Sequence, residues 1–377
     1  MQLTGLRRYS TIVLLILLQI FCLSVVIAQK TSEGSQSEIL NAFRSIDYGA
    51  KEEECVICER VALFNECKQL IENRIWPGLN DSAFKTPLIY FTNEFTYVAF
   101  SKHEIFNGDS CEILFCPNGL RICKIARLDS QAFHMENKMN FIDSSSIYFF
   151  NPMMQCSDVE TMNIFVPDFE KTEDWLQLVM HEYFHNFQFL HRPALDYLST
   201  TIKIAADTLD QLYLKYDWFK AELEKENEVL LSAINCESED SIRTLVQTFV
   251  NLRENRREKF KKVSDLNLSQ LENFWETIEG SARYSEYYMA GKFSTLSKPN
   301  TGNCDKLFHN FSDYTDSILF ETKPEFKKRT EIMQAYYYVI GFNLCRLLDK
   351  LNVNYKHGLF NEPDIGLYHL LRIHLKM

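Results

Sequence analysis

Two histidines four residues apart, with a glutamate directly after the first, constrain this chain more than any other feature. The stretch 178–187 reads LVMHEYFHNF and contains the pattern H-E-x-x-H, formed by His181, Glu182 and His185. In a helix, the two histidines lie on one face, one turn apart. Two imidazoles so placed can bind one Zn²⁺, and the glutamate beside them can take a proton from a metal-bound water. The pattern predicts a zinc site. The alternative is a chance match in which both histidines are packed or surface residues.

The residues around the motif predict the helix that the motif requires. Thr172 is a candidate N-cap, and the acidic Glu173 and Asp174 follow it in the first turn. Arg192-Pro193 marks the end of the predicted helix. An apolar stripe is formed by Leu176, Val179, Tyr183, Phe187 and Leu190.

The first 28 residues have the pattern of a secretory signal peptide. Arg7 and Arg8 precede an apolar run from Ile12 to Ile27, and Ala28 provides a small-residue cleavage site. The alternative is an uncleaved membrane anchor. We expect cleavage after Ala28, a secreted or periplasmic (extracytoplasmic) protein, and no stable membrane insertion after cleavage, since no other stretch is apolar enough. Removing two arginines changes the formal charge from −11 to −13, and this acidity argues against nucleic-acid binding.

The cysteines predict disulfides. Cys22 lies in the predicted signal peptide, which leaves ten of the eleven cysteines, an even number that favours disulfides in an exported protein. Cys55-Val-Ile-Cys58 has the spacing of a zinc knuckle or a redox pair, but no second C-x-x-C follows. We expect structural disulfides there, and we expect the six cysteines between 55 and 123 to pair mostly among themselves.

Composition changes along the chain predict an α+β fold with a small mixed or antiparallel N-terminal sheet and a large helical lobe that carries the zinc site. Residues 29–84 are predicted to form a leader with a helix over 53–75, and residues 85–170 a β-rich lobe. Strands are predicted at 88–92, 95–100, 113–115, 122–128, 147–150 and 161–166. The first two resemble a hairpin, and Thr161–Val166 is the candidate edge strand for binding a substrate.

Residues 171–377 are predicted to form the helical lobe. After the H-E-x-x-H helix, helices are predicted at about 194–235, 239–262, 268–291, 326–351 and 363–375. A mixed charge run occupies 253–258 and contains three arginines. It is typical of a solvated helix face, and the alternative is that one arginine binds a substrate carboxylate.

A catalytic zinc requires a third protein ligand, and Glu279 is the candidate. It lies in the stretch 275–284, WETIEGSARY. Gly280 costs about 1 kcal/mol in the middle of a helix relative to alanine. Together with Ala282 it forms a small-residue patch against which another helix can pack closely. The carboxylate of Glu279 can then reach a metal on the H-E-x-x-H helix. The alternative is a surface glutamate.

The order H-E-x-x-H, then W-x-x-x-E-G-x-A-x-Y, resembles the gluzincin metallopeptidases of the thermolysin-like clan, and most of all their aminopeptidase-type branch. The resemblance implies a zincin-like fold, zinc bound by His181, His185 and Glu279, and Glu182 as the general base. It also implies that the tyrosine of Tyr338-Val-Ile-Gly stabilises the tetrahedral intermediate. Tyr336 and Tyr337 are alternatives for that tyrosine.

Two departures from the aminopeptidases concern specificity. From His185 to Glu279 there are 94 residues, a longer gap than is usual there, and a helical insertion over 194–265 explains it. A G-x-M-E-N-type motif is absent from the strand region. The long gap is more similar to that of little-characterised, exported zincin-like proteins.

Together these features predict a secreted zinc-dependent metallopeptidase that acts on a peptide or protein substrate. The alternative is a secreted zinc-binding protein, or a non-peptide hydrolase that uses the same site. The histidine ligands also require hydrogen-bond acceptors behind them. Glu286, two turns after Glu279, and Glu276, one turn before it, are the candidates.

Overall fold

The structure is a computed structural model that describes residues 50–81, 86–100, 111–116, 119–127, 135–138, 153–165, 170–202, 206–293, 304–311 and 336–376. The predicted signal peptide, the strand predicted at 147–150 and residues 326–335 of a predicted helix lie outside these residues. The fold is α+β and mostly helical. Two compact units are present. The sheet unit contains the described residues up to 190 and those between 285 and 311, and the helical unit contains those of 191–284 and 336–376.

Helix α1 spans Ala50–Arg74 and confirms the helix predicted over 53–75. Glu52 and Glu53 lie in its first turn and Arg74 in its last, the arrangement that the helix dipole favours. The chain leaves the helix through Gly78, whose φ is +92°. Only glycine adopts this backbone conformation without strain.

A mixed six-stranded sheet follows α1. Its strands are β1 (Leu88–Phe91), β2 (Phe95–Ala99), β3 (Glu112–Phe115), β4 (Arg121–Ala126), β5 (Met135–Lys138) and β6 (Met153–Ser157). The order across the sheet is β3-β4-β2-β1-β6-β5. β1 and β6 are parallel, and the other neighbouring pairs are antiparallel. The hairpin prediction is confirmed, since β1 pairs with β2 from Leu88 opposite Ala99 to Phe91 opposite Thr96.

The strand predicted at 161–166 is wrong, because helix α2 occupies Val159–Phe165. Asp158 explains the difference. Its carboxylate accepts a hydrogen bond from the backbone N–H of Thr161 at 2.7 Å, and its carbonyl accepts from Met162 at 3.0 Å. This side-chain cap starts a helix and overrides the β-branched composition. The segment therefore offers no strand edge to a substrate.

Helix α3 spans Thr172–Leu190 and confirms the helix predicted around H-E-x-x-H. Its first two residues form hydrogen bonds with the segment 304–311. The hydroxyl of Thr172 donates to Asp305 at 2.6 Å. The carbonyl of Lys171 accepts the first helical hydrogen bond, from Trp175, so Thr172 is the first helical residue and not the predicted N-cap. Glu173 accepts from the backbone N–H groups of His309 and Phe311 at 2.8 and 3.0 Å.

Three disulfides join described residues of the sheet unit: Cys55–Cys304, Cys58–Cys116 and Cys111–Cys123. Two of them pair cysteines between 55 and 123, as predicted, whereas Cys55 pairs outside that range. Cys55 and Cys58 are therefore structural, as expected. Cys67, Cys156, Cys236 and Cys345 are free thiols. The disulfides indicate an oxidising, extracytoplasmic environment.

The described residues contain no helix with the combination of length and apolarity needed to cross a membrane.

The described residues of the helical unit form eight segments. They are α4 (Arg192–Tyr197), a π-helical turn (Leu198–Ile202), α5 (Asp207–Lys215), α6 (Asp217–Asn235), α7 (Glu239–Lys261), α8 (Leu268–Ala290, whose last residues belong to the sheet unit), α9 (Tyr336–Lys350) and α10 (Leu367–Leu375). The prediction of one continuous helix over 194–235 is wrong. Tyr216 has an extended backbone, with φ −122° and ψ 103°, and it separates α5 from α6.

The three arginines of the mixed charge run on α7 are buried, so the prediction of a solvated face is wrong for them, whereas Glu254 is half-buried and Glu258 is exposed. Arg253 and Arg256 are 0% exposed and Arg257 is 3% exposed. Each guanidinium pairs with buried glutamates of the same unit, and the pairs are Arg253–Glu276, Arg253–Glu226, Arg256–Glu226, Arg256–Glu272 and Arg257–Glu272. Burial raises the pKa of Glu272, but the charges of Arg256 and Arg257 prevail and bring it to about 2. These carboxylates belong to α6 and α8. They form ion pairs with the arginines that were candidates for binding a substrate carboxylate.

Candidate metal centre

His181 and His185 lie on the buried face of α3, one turn apart. They are 2% and 6% exposed. Their Nε2 atoms are 3.2 Å apart, and their rings are nearly perpendicular, with an interplanar angle of 86°. The helix therefore brings the two predicted ligand atoms to one point.

The other ring nitrogen of each histidine has an acceptor. Nδ1 of His181 is 3.1 Å from Oε2 of Glu286, and Nδ1 of His185 is 2.7 Å from Oε1 of Gln188. A carboxylate or an amide oxygen can only accept, so each Nδ1 carries a hydrogen. In the neutral tautomer this leaves the lone pair on Nε2, the atom that faces the other histidine.

Glu279 lies on α8, two helical turns before Glu286, and is 9% exposed. One ligand atom each of His181, His185 and Glu279 form a group in which all three atoms lie within 4.8 Å of one another. The structure thus brings together the three residues that the sequence predicted as metal ligands. Glu286, the predicted acceptor, is in contact with the first histidine.

The donor set fits zinc in geometry as well as in chemistry. Two nitrogen ligands of a tetrahedral zinc, each at about 2.0–2.1 Å, lie about 3.3–3.4 Å apart, which agrees with the 3.2 Å between the Nε2 atoms. Two lone pairs that face each other at this distance repel unless a cation or a proton lies between them. Two imidazoles and one carboxylate are a common ligand set of catalytic zinc, which keeps its fourth position for water.

A second group of possible ligand atoms belongs to Cys55, Glu59 and Cys304. Here the two sulfurs form a disulfide, so neither is a thiolate that can bind a metal. Glu59 accepts hydrogen bonds from the backbone N–H groups of Cys304 and Asp305, at 3.0 and 2.8 Å. The disulfide and these two hydrogen bonds attach the 304–311 segment to α1.

Of the two candidate acceptors, Glu286 contacts a ligand histidine and Glu276 does not. Glu276 is 1% exposed and pairs with Arg253, so its prediction as an acceptor is wrong. Gln188 is an acceptor that the sequence analysis missed. Its only signal is a position three residues after His185, one turn along the same helix face.

The three consecutive tyrosines on α9 have different surroundings. Tyr336 is buried and donates to Glu272 at 2.9 Å, and Tyr337 is buried and donates to Asp210 at 3.4 Å. Tyr338 is half-buried, and the guanidinium of Arg283 lies 5.3 Å from its ring centroid. Arg283 follows Glu279 by one turn of α8. The two alternatives therefore direct their hydroxyls to other carboxylates, which favours Tyr338.

Helices α8 and α9 meet at two glycines. A Cβ on Gly280 would lie 2.3 Å from Cα of Gly341, and a Cβ on Gly341 would lie 2.0 Å from the carbonyl oxygen of Glu276. The close packing predicted from Gly280 and Ala282 is thus confirmed. The partner of Gly280 is Gly341, the glycine of the Tyr338-Val-Ile-Gly341 motif. The contact therefore involves the residue directly after Glu279 and the residue three positions after Tyr338.

Glu182 follows His181 on α3 and is half-buried. In a helix it is one turn from His185, on the side of the ligand pair.

No protein-family model matches the chain, no curated protein is significantly similar to it, and no solved structure matches it.

Proposed function

We propose that this protein is an exported zinc-dependent metallopeptidase that hydrolyses peptide bonds in a peptide or protein substrate. One observation carries the proposal. The Nε2 atoms of His181 and His185 face each other at 3.2 Å, with Glu279 within ligand reach and Glu182 directly after the first histidine. A zinc hydrolase requires zinc ligands and a general base beside them.

His181, His185 and Glu279 would hold the metal. A zinc ion bound there supplies Lewis acidity, which polarises a carbonyl and lowers the pKa of water towards about 7. Glu286 and Gln188 keep the histidine rings in place by accepting from Nδ1. They also fix the tautomer that leaves Nε2 available.

Glu182 takes a proton from the attacking water and gives it to the leaving amine. Its half-buried position on the same helix as the two histidines suits this role. The hydroxyl of Tyr338 donates to the oxyanion that develops on the scissile carbonyl. Donors of this kind are commonly worth about 3–4 kcal/mol of transition-state stabilisation.

The signal-peptide pattern and the disulfides support action outside the cytoplasm. The pattern predicts export, and three disulfides are compatible with an oxidising compartment. The substrate is then a peptide or protein that the chain meets after export.

A peptide-library assay tests the proposal. Wild type, Glu182→Gln and the matched control Glu237→Gln are purified, assayed for zinc, and incubated with peptides whose products are identified by mass spectrometry. Glu237 is an exposed glutamate in the connection between α6 and α7, so its variant should cleave like wild type. Glu182→Gln should retain zinc and lose about 10²- to 10⁴-fold in rate.

Two outcomes would contradict the proposal in different ways. Stoichiometric zinc without cleavage of any peptide would remove the peptidase assignment and leave a zinc site with another role. Cleavage by Glu182→Gln at the wild-type rate would show that the chemistry does not use this residue.

A further inference from the structure

Helix α8 is enclosed by protein along most of its length. Every residue from 271 to 290 is buried except Arg283 and Tyr288, which are half-buried. These two positions are five residues apart, so a helix turns them about 140° away from each other, onto different faces. Water therefore reaches one face of this stretch of α8 at Arg283.

The face that carries Arg283 also carries the candidate metal ligand. Arg283 follows Glu279 by four residues and precedes Glu286 by three, and residues so spaced share one helix face. Glu279 belongs to the candidate metal group, and Oε2 of Glu286 is 3.1 Å from Nδ1 of His181. The accessible position on this face is thus an arginine one turn from the candidate metal ligand.

Tyr338, the proposed oxyanion donor, lies beside this arginine. The guanidinium carbon of Arg283 is 5.3 Å from the centroid of the tyrosine ring, and Tyr338 is also half-buried, whereas Tyr336 and Tyr337 are buried. A guanidinium near an aromatic ring can still donate hydrogen bonds from its edge to a carboxylate. The arginine and the proposed oxyanion donor therefore lie together where water has access.

Arg283 differs from the arginines that the sequence suggested for binding a substrate carboxylate. Arg253, Arg256 and Arg257 are at most 3% exposed, and each pairs with a buried glutamate. Arg283 is the more accessible guanidinium, and it lies next to Glu279 on the same helix face.

We propose that Arg283 binds a carboxylate of the peptide substrate and so determines specificity, an inference that rests on the proposed peptidase function. Four residues of a helix rise about 6 Å, and consecutive Cα atoms of a peptide are about 3.8 Å apart. A carboxylate one or two residues from the scissile bond matches this spacing between Glu279 and Arg283. The planar guanidinium suits a carboxylate, which belongs either to the C-terminus of the substrate or to an acidic side chain.

A peptide selection tests the inference through binding. The zinc-loaded Glu182→Gln protein is immobilised and incubated with a library whose sequences are prepared as C-terminal acids and as C-terminal amides, with Asp and Asn in matched pairs. Retained peptides are quantified by mass spectrometry. Carboxylate peptides should be retained at least tenfold more than their neutral partners, since a charged hydrogen bond is gained. A difference between acids and amides identifies the C-terminus, and a difference between Asp and Asn identifies the side chain.

Variants of the immobilised protein assign the preference to one residue. Arg283→Met should abolish it, and Arg283→Lys, which keeps the charge without the planar fork, should retain part of it. The matched control Arg192→Met removes an exposed arginine at the start of α4 and should keep the full preference.

Equal retention of carboxylate and neutral peptides would overturn the inference, as would a preference that Arg283→Met leaves unchanged. The peptidase function fails by a different result. If wild type cleaves peptides without a carboxylate preference, the peptidase stands and Arg283 does not determine specificity. If carboxylate peptides are retained through Arg283 but wild type cleaves none, the carboxylate site stands and the peptidase does not.

Discussion

Replacing Gly341 by alanine should destabilise the helical unit severely. An alanine Cβ at this position would lie 2.0 Å from the carbonyl oxygen of Glu276 and 2.7 Å from Cα of Gly280. Both are backbone atoms, so no side-chain rotation relieves the overlap. Ordinary contacts of a Cβ begin at about 3.4 Å, so α8 and α9 must separate by more than 1 Å along the direction of the closest contact.

The magnitude follows from the packing on both sides of the glycine contact. Overpacking a well-filled core costs about 1–3 kcal/mol even when side chains can adjust, and here the obstacle is backbone. We expect a loss of at least about 3 kcal/mol in the free energy of unfolding. Glu279 immediately precedes Gly280, so the displacement should also weaken zinc binding.

Urea denaturation followed by circular dichroism measures the effect, with Gly358→Ala as the matched control. A Cβ on Gly358 meets nothing within 4 Å, so this variant should be neutral, or gain about 0.4–1 kcal/mol through the unfolded state. A Gly341→Ala protein as stable as the control would refute the close helix contact. The inference that this contact places Glu279 would fail with it.

Three further changes test the buried charges. Arg253→Met leaves Glu276 and Glu226 buried without this partner and should cost about 3–5 kcal/mol in urea denaturation, whereas the exposed control Lys261→Met should cost under about 0.5 kcal/mol; equal effects would contradict the network. Glu286→Ala removes the acceptor of His181 and should lower zinc affinity about 10- to 100-fold in competition with a chromophoric chelator; unchanged affinity would count against its role. Burial, reinforced by the charge of Glu160, raises the pKa of Asp158 to about 6 from 3.8, so the folded state binds its proton more tightly than the unfolded state and wild type loses stability as pH rises from about 4 to 6. Asp158→Asn keeps an acceptor for Thr161 and should gain up to about 3 kcal/mol over wild type at pH 7 but not at pH 4; a gain independent of pH would show that this carboxyl is not the cause.

The sequence predicted the elements that depend on local pattern. The apolar stripe around H-E-x-x-H and the helix-ending residues 192–193 correctly predicted the extent of α3. Runs of β-branched and aromatic residues correctly predicted the positions of β1 to β4. For these elements, neighbours within one or two turns carry the information. Glu279 was proposed from the helix glycine beside it together with the resemblance of W-x-x-x-E-G-x-A-x-Y to the gluzincin metallopeptidases.

Two of the errors concern contacts between distant parts of the chain. The arginines of 253–257 have the spacing of a surface face, and the glutamates that bury them come from α6 and α8, up to 30 residues away. The disulfide from Cys55 to Cys304 spans 249 residues, and no spacing rule predicts it. Thr161–Val166 was misjudged for a local reason, since one Asp158 cap outweighed a run of strand-forming residues.

X-ray absorption at the zinc edge of the zinc-loaded protein is the most direct test of the metal site. We predict two nitrogens at about 2.0–2.1 Å, carboxylate or water oxygens at about 2.0–2.2 Å and no sulfur, with loss of the nitrogen shell in a His181→Ala, His185→Ala double variant. A sulfur shell at about 2.3 Å, or a spectrum that the double variant leaves unchanged, would contradict it. The metal would then lie on cysteines or elsewhere, and His181 and His185 would be packed core residues.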